Sequence, residues 1–161
     1  MKQSGAGAPG IDDHVVIGWR EYVALPEWGI GRIMAKADSG ARSSALDVGQ
    51  LEELPGGRVS FDVVTRRERA PGEPGRVVHV EADVVRRTRV RSSLGDPHDR
   101  VFVRTAMTLG SVTKEIELGL VDRRRMRCRM LIGRRALQPE FFVDSGATYR
   151  LGRRPRIRRS S

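Results

Sequence analysis

Hydrophobic and polar residues alternate with a period of two along much of the chain. Val59, Phe61 and Val63 are interleaved with Ser60 and Asp62, and Val78, Val80, Ala82 and Val84 with His79, Glu81 and Asp83. The pattern recurs at Val101, Val103 and Thr105, and at Ile116, Leu118 and Leu120 opposite Glu115, Glu117 and Gly119. Successive side chains on a strand point to opposite faces, so each stretch predicts a strand with one buried face. Residues 15–23, with β-branched and aromatic side chains, predict an earlier strand broken near Pro26, and the apolar-leaning stretch Ile30 to Ala37 predicts another. Turn signals at Gly56-Gly57, Pro71-Gly72, Pro74-Gly75, Gly95-Asp96-Pro97 and Gly110 punctuate the series. Such strands imply an all-β sandwich or barrel with antiparallel pairing, and only Arg134 to Leu137 invites a short helix.

Composition narrows this to one domain: 161 residues with 39% apolar side chains supply one modest core. The expected organisation is a flexible N-terminal tail over 1–13, a folded domain over 14–152 and a basic tail over 153–161. The net charge of +10 makes acidic surfaces, anionic peptides and nucleic acid the chemically matched partners. Arg86, Arg87, Arg89 and Arg91, the run Arg123 to Arg125, and Arg150, Arg153, Arg154, Arg156, Arg158 and Arg159 form the basic clusters. Aromatic residues are only 5%, which disfavours a base-stacking platform and leaves nucleic acid the less favoured partner. The single cysteine, Cys128, has no internal disulfide partner, and its alternation with Met130 and Ile132 predicts an inward-facing structural thiol on a strand. Neither a signal-peptide run in Met1 to Asp13 nor a stretch near the roughly 20 apolar residues of a membrane span is visible, so the expectation is a soluble cytoplasmic protein without membrane contact.

Candidate chemistry centres on Asp38-Ser39-Gly40-Ala41, directly after the Ile30 to Ala37 stretch, and on Met130-Leu131-Ile132-Gly133-Arg134 late in the chain. A glycine without Cβ lets neighbouring backbone N–H groups approach the carboxylate closely. Asp-Ser-Gly is also ordinary turn chemistry. A second copy, Asp144 to Ala147, is followed only by the arginine-rich stretch Thr148 to Ser161, too little for a further sheet, and reads as a strand-end turn. His14, His79 and His98 are isolated, with His79 and His98 expected on solvated positions, and neither His-Glu-x-x-His, paired cysteines nor a phosphate loop occurs. No metal site and no cofactor is expected.

The segments Ile17-Gly18-Trp19-Arg20-Glu21, Ala24-Leu25-Pro26, Lys36 to Leu46 and Leu131 to Leu137 resemble one bacterial family. It bears the inherited name of ATP-dependent zinc proteases and is described as retropepsin-like aspartic endopeptidases, with members often linked to ATP-grasp glutamate ligases. The likeness runs from about Ile17 to Gly152. It implies an acid-protease closed or half barrel in which Asp38 is catalytic. Ser39 would brace the turn through its hydroxyl, Gly40 would offer backbone N–H groups beside Ala41, and Ile132 and Gly133 would support the loop from below. Residues 65–76 or the Arg91 to Arg100 connection would form the flap. One lobe supplies one aspartate, so a homodimer is expected in which two copies of Asp38 share a proton.

Two departures from the resemblance matter. Viral enzymes carry acidic residues shortly after the turn that pair with the arginine of the late strand, whereas this chain has Arg42-Ser43-Ser44. Arg134 therefore needs another partner, and Arg42 would make the cleft cationic; both are candidate substrate-binding residues. The family commonly has His after its Ser-Ala-Leu, where this chain has Asp47. The expected activity is hydrolysis of peptide bonds in acidic or glutamate-rich peptides or proteins. The alternative is a non-catalytic peptide- or nucleic-acid-binding β-barrel module.

Overall fold

A computed structural model describes residues 13–66, 75–91, 97–122 and 128–152, excepting the side chains at 90, 91, 97 and 98. The expected tails apart from Asp13, the run Arg123 to Arg125 and the central parts of both flap candidates lie outside the described residues.

The chain forms β1 (Val15–Leu25), β2 (Ile30–Asp38), β3 (Ser44–Asp47), β4 (Gly49–Leu54), β5 (Arg58–Arg66), β6 (Arg76–Asp83), β7 (Arg86–Arg91), β8 (Pro97–Leu109), β9 (Val112–Val121), β10 (Met130–Gly133), the short helix α1 (Arg134–Leu137) and β11 (Phe141–Thr148). Pro26 breaks the first strand as its sequence indicates, starting a 3-10 turn that Gly29 closes at φ 68°. One sheet runs β11-β1-β2-β10-β3-β9-β8-β7, and a β1–β8 pairing at Ala24 and Thr108 closes its six inner strands into a barrel. The alternating positions fill the interior: Ile33, Leu46, Val103, Leu118, Met130 and Ile132 are fully buried. A second sheet, β4-β5-β6, lays Val59, Phe61, Val63 and Val80 into the same core, with Phe61 edge-on to Trp28 at 5.4 Å. No helix among the described residues is long and apolar enough to cross a membrane.

The all-β barrel and its one short helix follow the sequence reading; strand direction does not. The hairpins are antiparallel, but β1 with β11, β2 with β10 and β3 with β9 are parallel. Alternation reports only which face is buried, and these partners lie far apart in sequence, where a crossover replaces a tight turn. β4 also escapes a hydrophobic reading because Leu51, Glu52 and Glu53 are exposed; its hairpin to β5 turns on Gly56 and Gly57, with φ at 81° and 70°.

Candidate functional site

β2 delivers Asp38 to the barrel's end, and the chain folds back at once: the Ala41 N–H donates to the Asp38 carbonyl at 3.2 Å and the Gly40 N–H to Asp38 Oδ1 at 3.2 Å. Oδ2 has no hydrogen-bond partner among the described residues. Beneath the turn, β10 runs parallel to β2 with Ile132 beside Ala37 and Gly133 beside Asp38. A Cβ on Gly133 would lie 2.5 Å from the backbone C and O of Ser43, so only glycine lets the two segments meet. The Gly133 N–H donates to the buried Ser44 Oγ at 3.0 Å. The start of α1 continues the stitching, with the Arg134 N–H on the Ala41 carbonyl (2.8 Å) and the Arg135 N–H on the Arg42 carbonyl (3.2 Å).

Arg134 finds its partner in the turn itself, donating from Nη1 to the carbonyls of Ser39 (3.1 Å) and Gly40 (3.2 Å). Bracing through Ser39 thus runs through its carbonyl, and its hydroxyl has no hydrogen bond among the described residues. Arg42 is exposed, without a carboxylate partner among the described residues. Ser44 and Asp47 complete the support and were not singled out for it by the sequence. Asp47, at the family's histidine position, is 2% exposed and binds Arg129 twice: Oδ2 accepts from Arg129 Nη1 and its N–H donates to the Arg129 carbonyl, both at 2.8 Å. That clamp joins β3 to the approach to β10.

The second Asp-Ser-Gly-Ala is not a strand-end turn: it lies inside β11, where Asp144 faces Gly18 and Thr148 faces Arg20, so the intervening residues form a bulge. The Gly146 N–H donates to Asp144 Oδ1 at 2.9 Å, as in the first copy, but Arg150 occupies Oδ2 at 3.2 Å. The two tetrapeptides therefore differ in the one feature chemistry needs, an uncommitted carboxylate oxygen.

Cys128 also departs from expectation. It precedes β10, outside any strand, and is half-buried; burial raises its thiol pKa while the charges of Arg20 and Lys36 pull it down. His14 stacks on Phe142 with ring centroids 3.9 Å apart, and His79, on an exposed position, bonds Asp62 at 2.8 Å. No three His, Cys, Asp or Glu side chains converge as a metal-ligand set among the described residues.

A family model described as "Retropepsin-like aspartic endopeptidase RimB" matches residues 16–154. Similar curated proteins include a probable alpha-L-glutamate ligase of Shewanella pealeana, 32% identical over 88% of this chain and 31% of that protein, and one of Desulfotalea psychrophila, 31% identical over 85% and 29%. The chain spans about a third of the length of the curated relatives it matches. A Legionella pneumophila protein of unknown function has a similar crystal structure, with a TM-score of 0.68 at 23% identity over 85% of this chain and 98% of that one, which establishes likeness of fold.

Proposed function

The chain belongs to the RimB-like family of retropepsin-like aspartic endopeptidases, and from that premise we propose that it is a peptidase acting through the Asp38 carboxylates of two protomers. The observation that carries the reading is Asp38 itself, with Oδ1 held by the Gly40 N–H and Oδ2 uncommitted at the top of a braced turn. Two such carboxyls within a few ångström share one proton. The ionised carboxylate takes a proton from water, whose oxygen attacks the peptide carbonyl carbon, while the protonated partner gives its proton to the carbonyl oxygen. Collapse of the tetrahedral intermediate breaks the C–N bond as the protonated carboxyl gives its proton to the amine and the ionised one takes a hydroxyl proton from the intermediate, which leaves the acid product and restores the shared proton. Ser39, Gly40 and Ala41 form the turn, Ile132 and Gly133 its floor, and Arg134 is a positioning residue.

Acidic, glutamate-rich chains are the proposed substrates, supported by the exposed Arg42 next to the turn and by relatives named for glutamate ligation. A fold that needs no disulfide suits the reducing cytoplasm. A second reading has one observation in its favour: relatives named as ligases contain this region as about a third of their length, which fits a non-catalytic module serving a ligase. Cleavage of glutamate-rich peptides by the wild type and Asp38→Asn, followed by mass spectrometry, decides between them. Asp38→Asn is expected to keep the fold and lose cleavage at least 100-fold, in the usual range for a general acid–base group; retained cleavage, or none by any dimer of the wild type, sinks the peptidase reading.

A further inference from the structure

Next to the Asp38 turn, the outer face of β1 and β2 carries three cations that the proposed reaction does not use. On β2, Arg32 and Lys36 are exposed and alternate with the buried Ile33 and Ala35; on β1, Arg20 and Tyr22 alternate with the buried Glu21 and Val23. Arg20 lies opposite Lys36 and Tyr22 opposite Met34, so these side chains share one surface. The charges of Arg20 and Lys36 meet again at the Cys128 thiol. Other arginines of the fold, including Arg58, Arg86, Arg87, Arg104 and Arg150, are paired with carboxylates. Arg20, Arg32 and Lys36 have no carboxylate partner among the described residues.

Two of the three are held in place by aromatic rings. The Arg32 guanidinium sits 3.6 Å from the centre of the Tyr22 ring, Tyr22 stacks on Tyr149 at 5.0 Å, and the Arg20 guanidinium lies 4.5 Å from the Trp19 ring centre. For Arg32 this contact fixes the guanidinium without neutralising it, so its N–H donors stay available and less side-chain freedom is lost when an anion arrives, whereas Arg20 is hydrogen-bonded to Tyr149 and buries its Nε, and so adds charge rather than open donors. Four residues separate Arg32 from Lys36, about 13 Å at the rise of a strand, and Lys36 is two residues, about 7 Å, from Asp38. An extended peptide has the same rise and places alternate side chains on one face.

We propose that this strip is a binding site for an acidic polypeptide, a run of glutamates, outside the Asp38 turn and leading towards it. The Tyr22 ring is already engaged by the Arg32 guanidinium and stacked with Tyr149, so it is a poor platform for a base, which favours carboxylates over single-stranded nucleic acid. The last step, delivery to Asp38, rests on the peptidase reading; binding does not.

The test is fluorescence anisotropy with fluorescein-labelled octa-L-glutamate at low salt, on the full chain carrying Asp38→Asn so that cleavage cannot intervene. The double variant Arg32→Ala/Lys36→Ala is expected to bind about five- to tenfold more weakly, from two partly exposed ion pairs. A control, Arg76→Ala/Arg89→Ala, removes the same charge elsewhere and should change binding less than twofold. Bound octaglutamate should also slow alkylation of Cys128 by neutral iodoacetamide. Equal loss in control and double variant, absence of octaglutamate binding, binding without protection of Cys128, or tighter binding of an oligo-dT of equal charge through Arg32 and Lys36 each overturns the proposal. Strip-dependent binding in a protein whose wild type cleaves nothing would sink the peptidase reading and leave the site standing.

Discussion

Gly133 and Ser44 show how little tolerance the candidate site has at the scale of single residues. Gly133→Ala would press a methyl against the Ser43 backbone 2.5 Å away, and a backbone cannot rotate aside as a side chain can. The expected loss is about 1–3 kcal/mol. Ser44→Ala would strand the buried Gly133 N–H that now reaches Ser44 Oγ, at a similar cost of about 1–3 kcal/mol. Urea denaturation of both variants checks these values, and an unchanged midpoint for Gly133→Ala would mean that the floor of the turn is looser than described. Asp38, Gly40, Ile132 and Gly133 were legible in the sequence because the turn and the apolar-apolar-Gly run have local signatures. The Arg134 partners were not, since carbonyl acceptors carry no residue identity, and a search for a carboxylate looks past them. The sequence set the second tetrapeptide aside only by the short stretch after it; what distinguishes the two carboxylates, Arg150 and the bulge opposite Gly18, appears only in three dimensions.

Among the elements, strands with one buried face were legible and those whose role is pairing were not. β7, with Arg86, Arg87 and Arg89, reads as a basic cluster in sequence, yet it forms a hairpin arm with the first half of β8, whose second half enters the barrel against β9. Between elements, Lys114 on β9 fastens the entry to β11 by donating to the Gln138 carbonyl and to Glu140 Oε2, both at 2.7 Å. Desolvation tends to raise the Glu140 pKa, but the hydrogen bond and charge of Lys114 outweigh it and hold the carboxyl below its usual value. A depressed folded-state pKa stabilises above the unfolded value, about 4.3 for Glu, and that contribution is lost as pH falls through the lower folded value. Lys114→Met should therefore lower the melting temperature at pH 7, with the gap to wild type closing in the acid range. A gap that stays constant down to pH 3 would remove the electrostatic account and leave only packing.

For the whole molecule, the decisive matter is that, of the two Asp-Ser-Gly-Ala copies, only the first leaves a carboxylate oxygen uncommitted among the described residues, while the proposed chemistry needs two carboxyls sharing a proton. Arg150 holds the other copy of the motif, so Asp144 is a poor second member, and a twofold pair of chains is the economical source of the partner. This reading makes a quantitative statement about mixtures. If wild type and Asp38→Asn exchange subunits freely, an equal mixture contains about a quarter wild-type homodimers by binomial mixing, and only these would carry two reactive carboxyls. Specific activity per total protein should then fall to about a quarter of the wild-type value, whereas a complete site in each chain would leave about half. Dilution gives an independent handle, because below the dimer dissociation constant specific activity should decline in proportion to concentration. Cleavage of a glutamate-rich peptide across a mixing series and a dilution series, with sedimentation to follow the dimer, measures both. A linear mixing curve with concentration-independent turnover would exclude the shared dyad and require the second acid–base group to come from the same chain.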